Sequence, residues 1–93
     1  MNENQIKEFI QNYNIKNQIE KAFESILKAN SAKDLDIKDK NLFIDVQQIQ
    51  YKNTHFSSHS FGTHIKDNNK TIGLFALEFT DEAEITDEFF IIY

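Results

Sequence analysis

The chain has 93 residues, of which 40% are hydrophobic, and a formal net charge of -5 at pH 7. This length supports a single small domain with one core and excludes a deep cleft between two domains. The absence of cysteine excludes disulfides and thiolate metal sites and fits a reducing compartment.

Two amphipathic helices are predicted first. Apolar residues recur at helical spacing in two series, Ile6, Phe9, Ile10 and Tyr13 and then Ile15, Ile19, Ala22, Phe23, Ile26 and Leu27. The second stripe is rotated by roughly 90° or more from the first, so one straight helix cannot turn both towards one core. We predict a break at residues 12–14, with Asn14 as the N-cap of the second helix. A single helix bent around a sheet is the alternative.

After a polar connection over residues 29–41, the pattern changes to that of strands. Leu42, Ile44 and Val46 alternate with other residues, and Ile49 and Tyr51 then fall on the opposite parity, which predicts a bulge near residues 47–48. A turn around Lys52–Asn53 is expected to lead into a more polar strand over residues 55–65, near a sheet edge or on a solvated face. Residues 67–69 predict the next turn.

The chain ends in a predicted β-hairpin over residues 70–93, with apolar arms on either side of the acidic segment 81–88. The fold class is therefore α+β, with two N-terminal helices packed on a four-stranded antiparallel meander sheet in one domain of residues 1–93. We assign six phenylalanines to the core: Phe9, Phe23, Phe43, Phe75, Phe79 and Phe89. Phe56, Phe61 and Tyr51 lie among polar residues and are predicted to make exposed contacts.

Negative charge is concentrated in this hairpin. Residues 1–41 balance seven lysines against seven acids, whereas residues 78–93 contain six acids and no base. An acidic patch attracts basic partners and repels phosphate backbones over about 8 to 10 Å at physiological salt. Arginine, the residue most used to bind guanine edges and phosphates, is absent. We therefore expect a basic protein partner and no binding of nucleic acid by this chain alone.

No stretch resembles a membrane or secretory segment. No apolar run approaches the roughly 20 residues that span a bilayer. The N-terminal residues lack the basic start and apolar body of a secretory signal. We expect a cytoplasmic protein that has no membrane partner.

Three histidines within ten residues, His55, His59 and His64, raise the possibility of a metal site. On a strand, however, His55 and His59 share a face at roughly 13 Å from each other, and His64 points to the other face. Hydrogen-bonded or solvated histidines are therefore expected, with no metal and no other cofactor. Nearby serines lack the glycines of a nucleophile elbow, and no phosphate-binding loop is present, so we predict no enzyme activity.

The five acids Asp81, Glu82, Glu84, Asp87 and Glu88 match no calcium-binding loop, because the glycine and the ligand spacing are missing. Two interpretations are open for them: a solvated hairpin turn, and a docking surface for a basic protein. Six acids without a base in sixteen residues exceed what solubility requires.

The segments Gly73–Phe79 and Glu84–Phe90 resemble the strand, acidic turn and closing strand of small immunity proteins from bacterial contact-dependent inhibition and polymorphic toxin systems. This resemblance implies a protein that binds and blocks a cognate toxin domain, often a basic nuclease, without doing chemistry. It supplies no shared functional motif, so the partner-binding residues follow from the charge pattern. These are the five acids Asp81, Glu82, Glu84, Asp87 and Glu88, with Tyr51 and Phe56 as aromatic anchors.

Two further functions are possible. A small-molecule binding module would need an apolar pocket between the helices and the sheet, opening beside Tyr51 and His59. An enzyme would need His55, His59 and an acid within hydrogen-bond reach of one another.

Overall fold

The structure of the protein, a computed structural model, describes residues 1–55 and 57–93, with only the backbone of His55. The helices are α1, Glu3–Asn12, and α2, Ile15–Ala29. The strands are β1, Phe43–Ile44; β2, Gln50–His55; β3, Ser58–Asp67; β4, Lys70–Thr80; and β5, Ile85–Ile92. The α+β layout, with the helices N-terminal to an antiparallel sheet, is therefore confirmed. The predicted anchor Phe56 lies outside the described residues.

The sheet has five strands because the predicted first strand is interrupted. The order is β1-β3-β4-β5, and β2 also pairs with β3. Between the pairs Ile44 with Ile65 and Gln50 with Gly62, the outer chain contains five residues and β3 contains two. The extra residues form a 3-10 turn at Val46–Gln48. The parity change in the sequence marks this place, although the interruption is larger than the predicted bulge.

The predicted turn at Lys52–Asn53 is wrong, and of the two positions expected for the polar strand the sheet edge is not found. Lys52 and Asn53 do not form a turn, since both pair with β3. The chain reverses only between β2 and β3, where Ser57 has a φ of 62°. β3 does not lie at an edge, because β1 and β2 pair with one of its sides and β4 with the other. Ser58, Ser60 and His64 are the alternate residues of β3 that point away from the core, as expected of a solvated face, whereas the polar side chains of His59 and Thr63 are buried.

The helix break is confirmed at Tyr13 and Asn14. Asn14 precedes α2 as predicted, but its backbone is left-handed, with φ of 54°, and its side chain makes no capping hydrogen bond. Asparagine tolerates this conformation better than most residues. The break therefore comes from the left-handed backbone of Asn14. It allows Phe9 of α1 and Ile15 of α2 to pack in the same core.

The core lies between the two helices and one face of the sheet. Its fully buried side chains include Phe61, Ile65, Phe75, Leu77 and Phe79, packed with Phe9, Ile15, Ile19 and Phe23 from the helices. The core assignments of Phe9, Phe23, Phe75 and Phe79 are confirmed. Those of Phe43 and Phe89 are wrong, since these side chains are 47% and 36% exposed. Phe61, expected to be exposed, is completely buried.

The opposite face of the sheet, which we call the open face, explains these differences. Strand register places Ser60, Glu78 and Asp87 in one row across β3, β4 and β5. The next two rows are Gly62, Ala76 and Phe89, and then His64, Leu74 and Ile91. Phe43 belongs to this face because its neighbour Ile44 pairs with the buried Ile65.

Neither described helix has the length and apolar content needed to cross a membrane.

Candidate functional site

Three side chains from different parts of the sequence meet beside the acidic turn. The hydroxyl of Tyr51, on β2, lies 2.7 Å from Nδ1 of His59, on β3. Nε2 of the same imidazole lies 2.6 Å from Oδ1 of Asp81, which directly follows β4. We call this arrangement the Tyr–His–Asp chain. Two of its members were predicted as partner-binding residues, and the third was a histidine with no assigned role.

The pKa shifts of Asp81 and Tyr51 indicate the directions of the hydrogen bonds in the Tyr–His–Asp chain. The hydrogen bond from His59 lowers the pKa of Asp81 below 3.8, and a hydrogen bond from Ser57 acts in the same direction. An ionised carboxylate only accepts, so His59 donates from Nε2. In the neutral imidazole Nδ1 then accepts a hydrogen bond from the hydroxyl of Tyr51. Burial, with the nearby charge of Asp81, raises the pKa of Tyr51 above 10.0 and keeps this phenol protonated.

This arrangement can hold a carboxylate in place but offers little to a substrate. His59 is only 6% exposed and packs against the ring of Phe9 at a centroid distance of 5.7 Å. Both of its ring nitrogens already have hydrogen-bond partners. A general base must reach the proton that it removes, and a neutral phenol is a weak nucleophile. The Tyr–His–Asp chain is therefore suited to hold Asp81, and the turn that contains it, in a fixed position.

The acidic turn at residues 81–84 is held by hydrogen bonds at both ends. The hydroxyl of Thr80 accepts from the backbone N–H groups of Glu82 and Glu84, at 3.3 and 3.1 Å. The N–H of Thr80 donates to the carbonyl of Glu84 at 2.9 Å. Ala83 closes the turn with a φ of 62°. The backbone is thereby fixed while the carboxylates of Glu82 and Glu84 remain exposed.

The remaining predicted acids are divided by strand alternation. Asp87 lies on the open face, where it is opposite Glu78 on β4. Glu88 points to the other side of the sheet, opposite Leu77, and is also exposed. The five predicted acids therefore surround the end of the β4–β5 hairpin and do not share one face. Glu78 was not among the partner-binding residues predicted from the sequence. The only sequence signal for it was its place as the first of the six C-terminal acids.

The charge of this end of the molecule is not neutralised by lysine. Among the described residues, the one contact of a carboxylate with a lysine or histidine side chain within 4 Å is that between Asp81 and His59, which the neutral imidazole makes as a hydrogen bond. No lysine in the described part of the chain pairs with an acid of residues 78–88. The six carboxylates therefore produce a local negative potential at this end of the sheet.

The aromatic side chains near the turn differ in their availability. Tyr51 is half-buried, and its hydroxyl is already bound to His59, so only part of its ring faces solvent. Tyr13, which was assigned to a helix stripe, is 42% exposed and packs on Phe9 at 4.8 Å between ring centroids. Since Phe9 also packs on His59, Tyr13 is a second aromatic contact candidate that sequence reasoning missed.

Histidines and cavities outside the Tyr–His–Asp chain show no further built site. His64 lies on the open face, across the sheet from His59, and no three metal-ligating side chains converge among the described residues. The buried Nδ1 of His64 has no hydrogen-bond partner in the described structure and borders a polar groove of about 470 Å³ beside the 3-10 turn. An apolar groove of about 260 Å³ separates α2 from β1. Neither groove is lined by Tyr51 or His59.

Comparisons with protein-family models, with curated proteins and with solved structures find no match for this chain. The resemblance to immunity proteins therefore depends on the residues of β4, the turn and β5 alone.

Proposed function

We propose that this chain is an immunity protein, a non-enzymatic inhibitor that binds a cognate, basic, nuclease-type toxin domain in the bacterial cytoplasm. It would cover the active or substrate-binding surface of that toxin. The observation that supports this proposal is the acidic turn, which is fixed by hydrogen bonds at both ends and has no lysine paired with it among the described residues.

A fixed turn is suited to binding because little conformational freedom is lost when a partner docks. Asp81 is bound to His59, and the backbone around Glu82 and Glu84 is bound to Thr80. The carboxylates of Glu82 and Glu84 are exposed and can replace the phosphate charges that a nuclease site attracts. Complementary charge of this kind increases the association rate and makes it depend on salt.

The distribution of the acids indicates the shape of the partner surface. Asp87 and Glu78 face one side of the sheet and Glu88 faces the other, with the turn acids between them. A flat surface would contact only one of these sides. A basic cleft that receives the end of the hairpin would contact all three groups, and nuclease substrate sites are basic clefts. Tyr51 and Tyr13 would then contact the rim of the cleft from the helix side.

The experiment first identifies the product of the gene immediately upstream, which the proposal expects to contain a toxin domain, and then measures binding of this chain to it. We compare the rate of association of the wild-type chain with that of the double variant Glu82→Gln and Glu84→Gln. The matched control is Glu20→Gln with Glu24→Gln, which removes two exposed acids from α2. We expect the turn variant to associate about tenfold more slowly at low salt and the control to match the wild type.

Dependence on salt provides the second measurement. The rate for the wild type should fall steeply as salt is added, and the rate for the turn variant should fall less. Equal rates for the two double variants, or the absence of binding to the upstream gene product, would refute the proposal.

A further inference from the structure

β5 is an edge strand with a free backbone side. It lies at one end of the strand order, and among the described residues it pairs only with β4. The N–H of Tyr93 donates to the carbonyl of Ile72 at 2.9 Å, so the odd-numbered residues of this strand face β4 with their backbone groups. The N–H and C=O groups of Glu88, Phe90 and Ile92 therefore point outwards from the sheet.

The two halves of this edge are protected differently. Asp87 and Glu88 place charge on its first half, a common means of preventing edge-to-edge pairing. Residues 89–93 are apolar or aromatic throughout and contain no charge and no proline. Phe89, Ile91 and Tyr93 are 36%, 44% and 72% exposed. An exposed apolar edge of this kind is a template for pairing with another strand.

We propose that β5 pairs with β5 of a second copy of this chain. The two strands would run antiparallel around a two-fold axis at Phe90 and join two five-stranded sheets into one of ten strands. Phe90 would lie opposite its own copy, and Phe89 opposite the second copy's Ile91. This interface is independent of the acidic turn, which stays exposed at each end of the pair.

The backbone groups are complementary in this register. Each outward-facing residue meets another outward-facing residue, Glu88 with the second copy's Ile92 and Phe90 with its own copy. Opposed residues of this type exchange two N–H···O bonds in an antiparallel ladder. The same register places the exposed side chains of Phe89 and Ile91 against each other on the open face.

Charge also favours the antiparallel arrangement. Asp87 would lie opposite the second copy's Tyr93, roughly 20 Å along the strand from the second copy's Asp87, and this distance exceeds the screening length. Near Tyr93 and Ile92 each copy has a groove of about 420 Å³ whose lining includes Lys38 and Lys70. Asp36 and Asp67 line the same groove, so its two lysines balance its two acids and its side chains have no net negative charge. A parallel pair would place the acidic halves side by side.

Sedimentation equilibrium of the purified chain tests the proposal between about 1 μM and about 1 mM, a range that covers weak and moderate dimers. We expect a monomer–dimer equilibrium. Ile91→Glu should weaken it by about tenfold or more, because the second copy's Asp87 would be its diagonal neighbour. The matched control is Phe43→Glu, since Phe43 is 47% exposed on the opposite edge of the sheet. This control should dimerise as the wild type does.

A charge reversal then separates contact between copies from loss of folding. The double variant combines Ile91→Glu with Asp87→Lys. Within one chain the two new charges are four residues apart along the strand. Across the interface, the new glutamate of one copy is a diagonal neighbour of the new lysine of the second copy, so the two charges attract each other. Dimerisation should recover relative to Ile91→Glu alone. A failure to recover, with circular dichroism unchanged, would contradict the register.

Cross-linking provides an independent test, since the chain contains no cysteine. Phe89 and the second copy's Ile91 would form a non-hydrogen-bonded pair with Cα atoms about 4.5 Å apart, within the range for a disulfide. A mixture of the variants Phe89→Cys and Ile91→Cys should therefore form a disulfide-linked dimer faster than either variant alone. A monomer throughout the concentration range, as expected if the edge is reserved for a strand of a different protein, would overturn the proposal.

Discussion

Glu78 and Asp87 lie directly opposite each other on β4 and β5, so two carboxylates of like charge form one cross-strand pair on the open face. Like charges in this position destabilise a sheet. In the same row, Ser60 on β3 lies opposite Glu78, and Lys52 on β2 lies opposite Ser60. Lys52 is therefore two strands away from Glu78 and is not its direct cross-strand partner. The free protein therefore contains a local repulsion that a basic partner would relieve.

Removing one of these carboxylates should stabilise the free protein. We expect Glu78→Gln to raise the free energy of unfolding by about 0.2 to 1 kcal/mol at low salt, measured by urea denaturation. Glu88→Gln, on the same hairpin but opposite Leu77, is the control and should give little change. The gain should shrink in about 1 M salt, where charges are screened within about 3 Å. A gain that is independent of salt would mean that charge repulsion is not its cause.

Much of the fold could be predicted because it depends on local patterns. The rotation between two apolar stripes located the helix break at Asn14, and the two apolar arms around an acidic segment located the last hairpin. The capping geometry of Asn14 could not be predicted, since a left-handed backbone and a side-chain cap both favour asparagine.

The wrong predictions concern the turn at Lys52–Asn53, the edge position of β3 and the direction of some side chains. β3 appears polar because Ser58, Ser60 and His64 point to the open face, and polarity alone does not separate a one-sided central strand from an edge strand. The exposure of Phe89 and the burial of Phe61 follow from register, which the sequence does not specify by itself.

The candidate site was only partly accessible to sequence reasoning, because its contacts are distant in the chain. His59 and Asp81 are separated by 22 positions and meet only through the pairing of β3 with β4 and the geometry of the following turn. Likewise, the pairing of Glu78 with Asp87 depends on a four-residue turn and an irregularity in register after Glu78. Charge counting identified the acidic end but not which carboxylates are held and which are free.

The hydrogen bond between His59 and Asp81 predicts a dependence of stability on acidic pH. Since the folded pKa of Asp81 is lowered below its ordinary value of 3.8, the unfolded chain takes up this proton first as the pH falls. The stabilisation is therefore present above pH 3.8 and is lost as the pH falls through the folded pKa. We expect Asp81→Asn to remove this part of the acid-induced loss, measured as the free energy of unfolding from about pH 5 to about pH 2.

The control for this experiment is Glu82→Gln, which removes the neighbouring carboxylate and leaves the bond between His59 and Asp81 in place. If Asp81→Asn and Glu82→Gln change the acid profile equally, loss of charge explains the effect and the hydrogen bond does not.

Tyr51 should contribute both a hydrogen bond and an alkaline pH dependence. Tyr51→Phe leaves Nδ1 of the buried His59 without its partner, and we expect a loss of about 1 to 3 kcal/mol in the free energy of unfolding. Because burial raises the pKa of Tyr51 above 10.0, the unfolded chain loses this proton first as pH rises. The free energy of unfolding of the wild type should therefore fall as the pH rises from about 10 to the folded pKa of Tyr51, and Tyr51→Phe should not show this alkaline loss.

Tyr13→Phe is the matched control for Tyr51→Phe, because Tyr13 packs on Phe9, itself a neighbour of His59, but is 42% exposed. It should change the free energy of unfolding by less than about 0.5 kcal/mol, as exposed substitutions usually do. An equal loss in the two variants would show that the hydroxyl of Tyr51 does not stabilise His59.

The two glycines of the sheet should respond differently to alanine. An added Cβ at Gly73 would overlap the carbonyl oxygen of Ile91, so β5 would have to move away from β4. We expect Gly73→Ala to reduce the free energy of unfolding by about 1 to 3 kcal/mol or more and to speed hydrogen exchange of the β5 amides. At Gly62 the nearest atom is the Cβ of Ala76 at 3.1 Å, so Gly62→Ala should cost less and leave β5 exchange unchanged. Equal losses, or slow exchange in Gly73→Ala, would show that the close approach of Gly73 to Ile91 does not hold this edge strand in place.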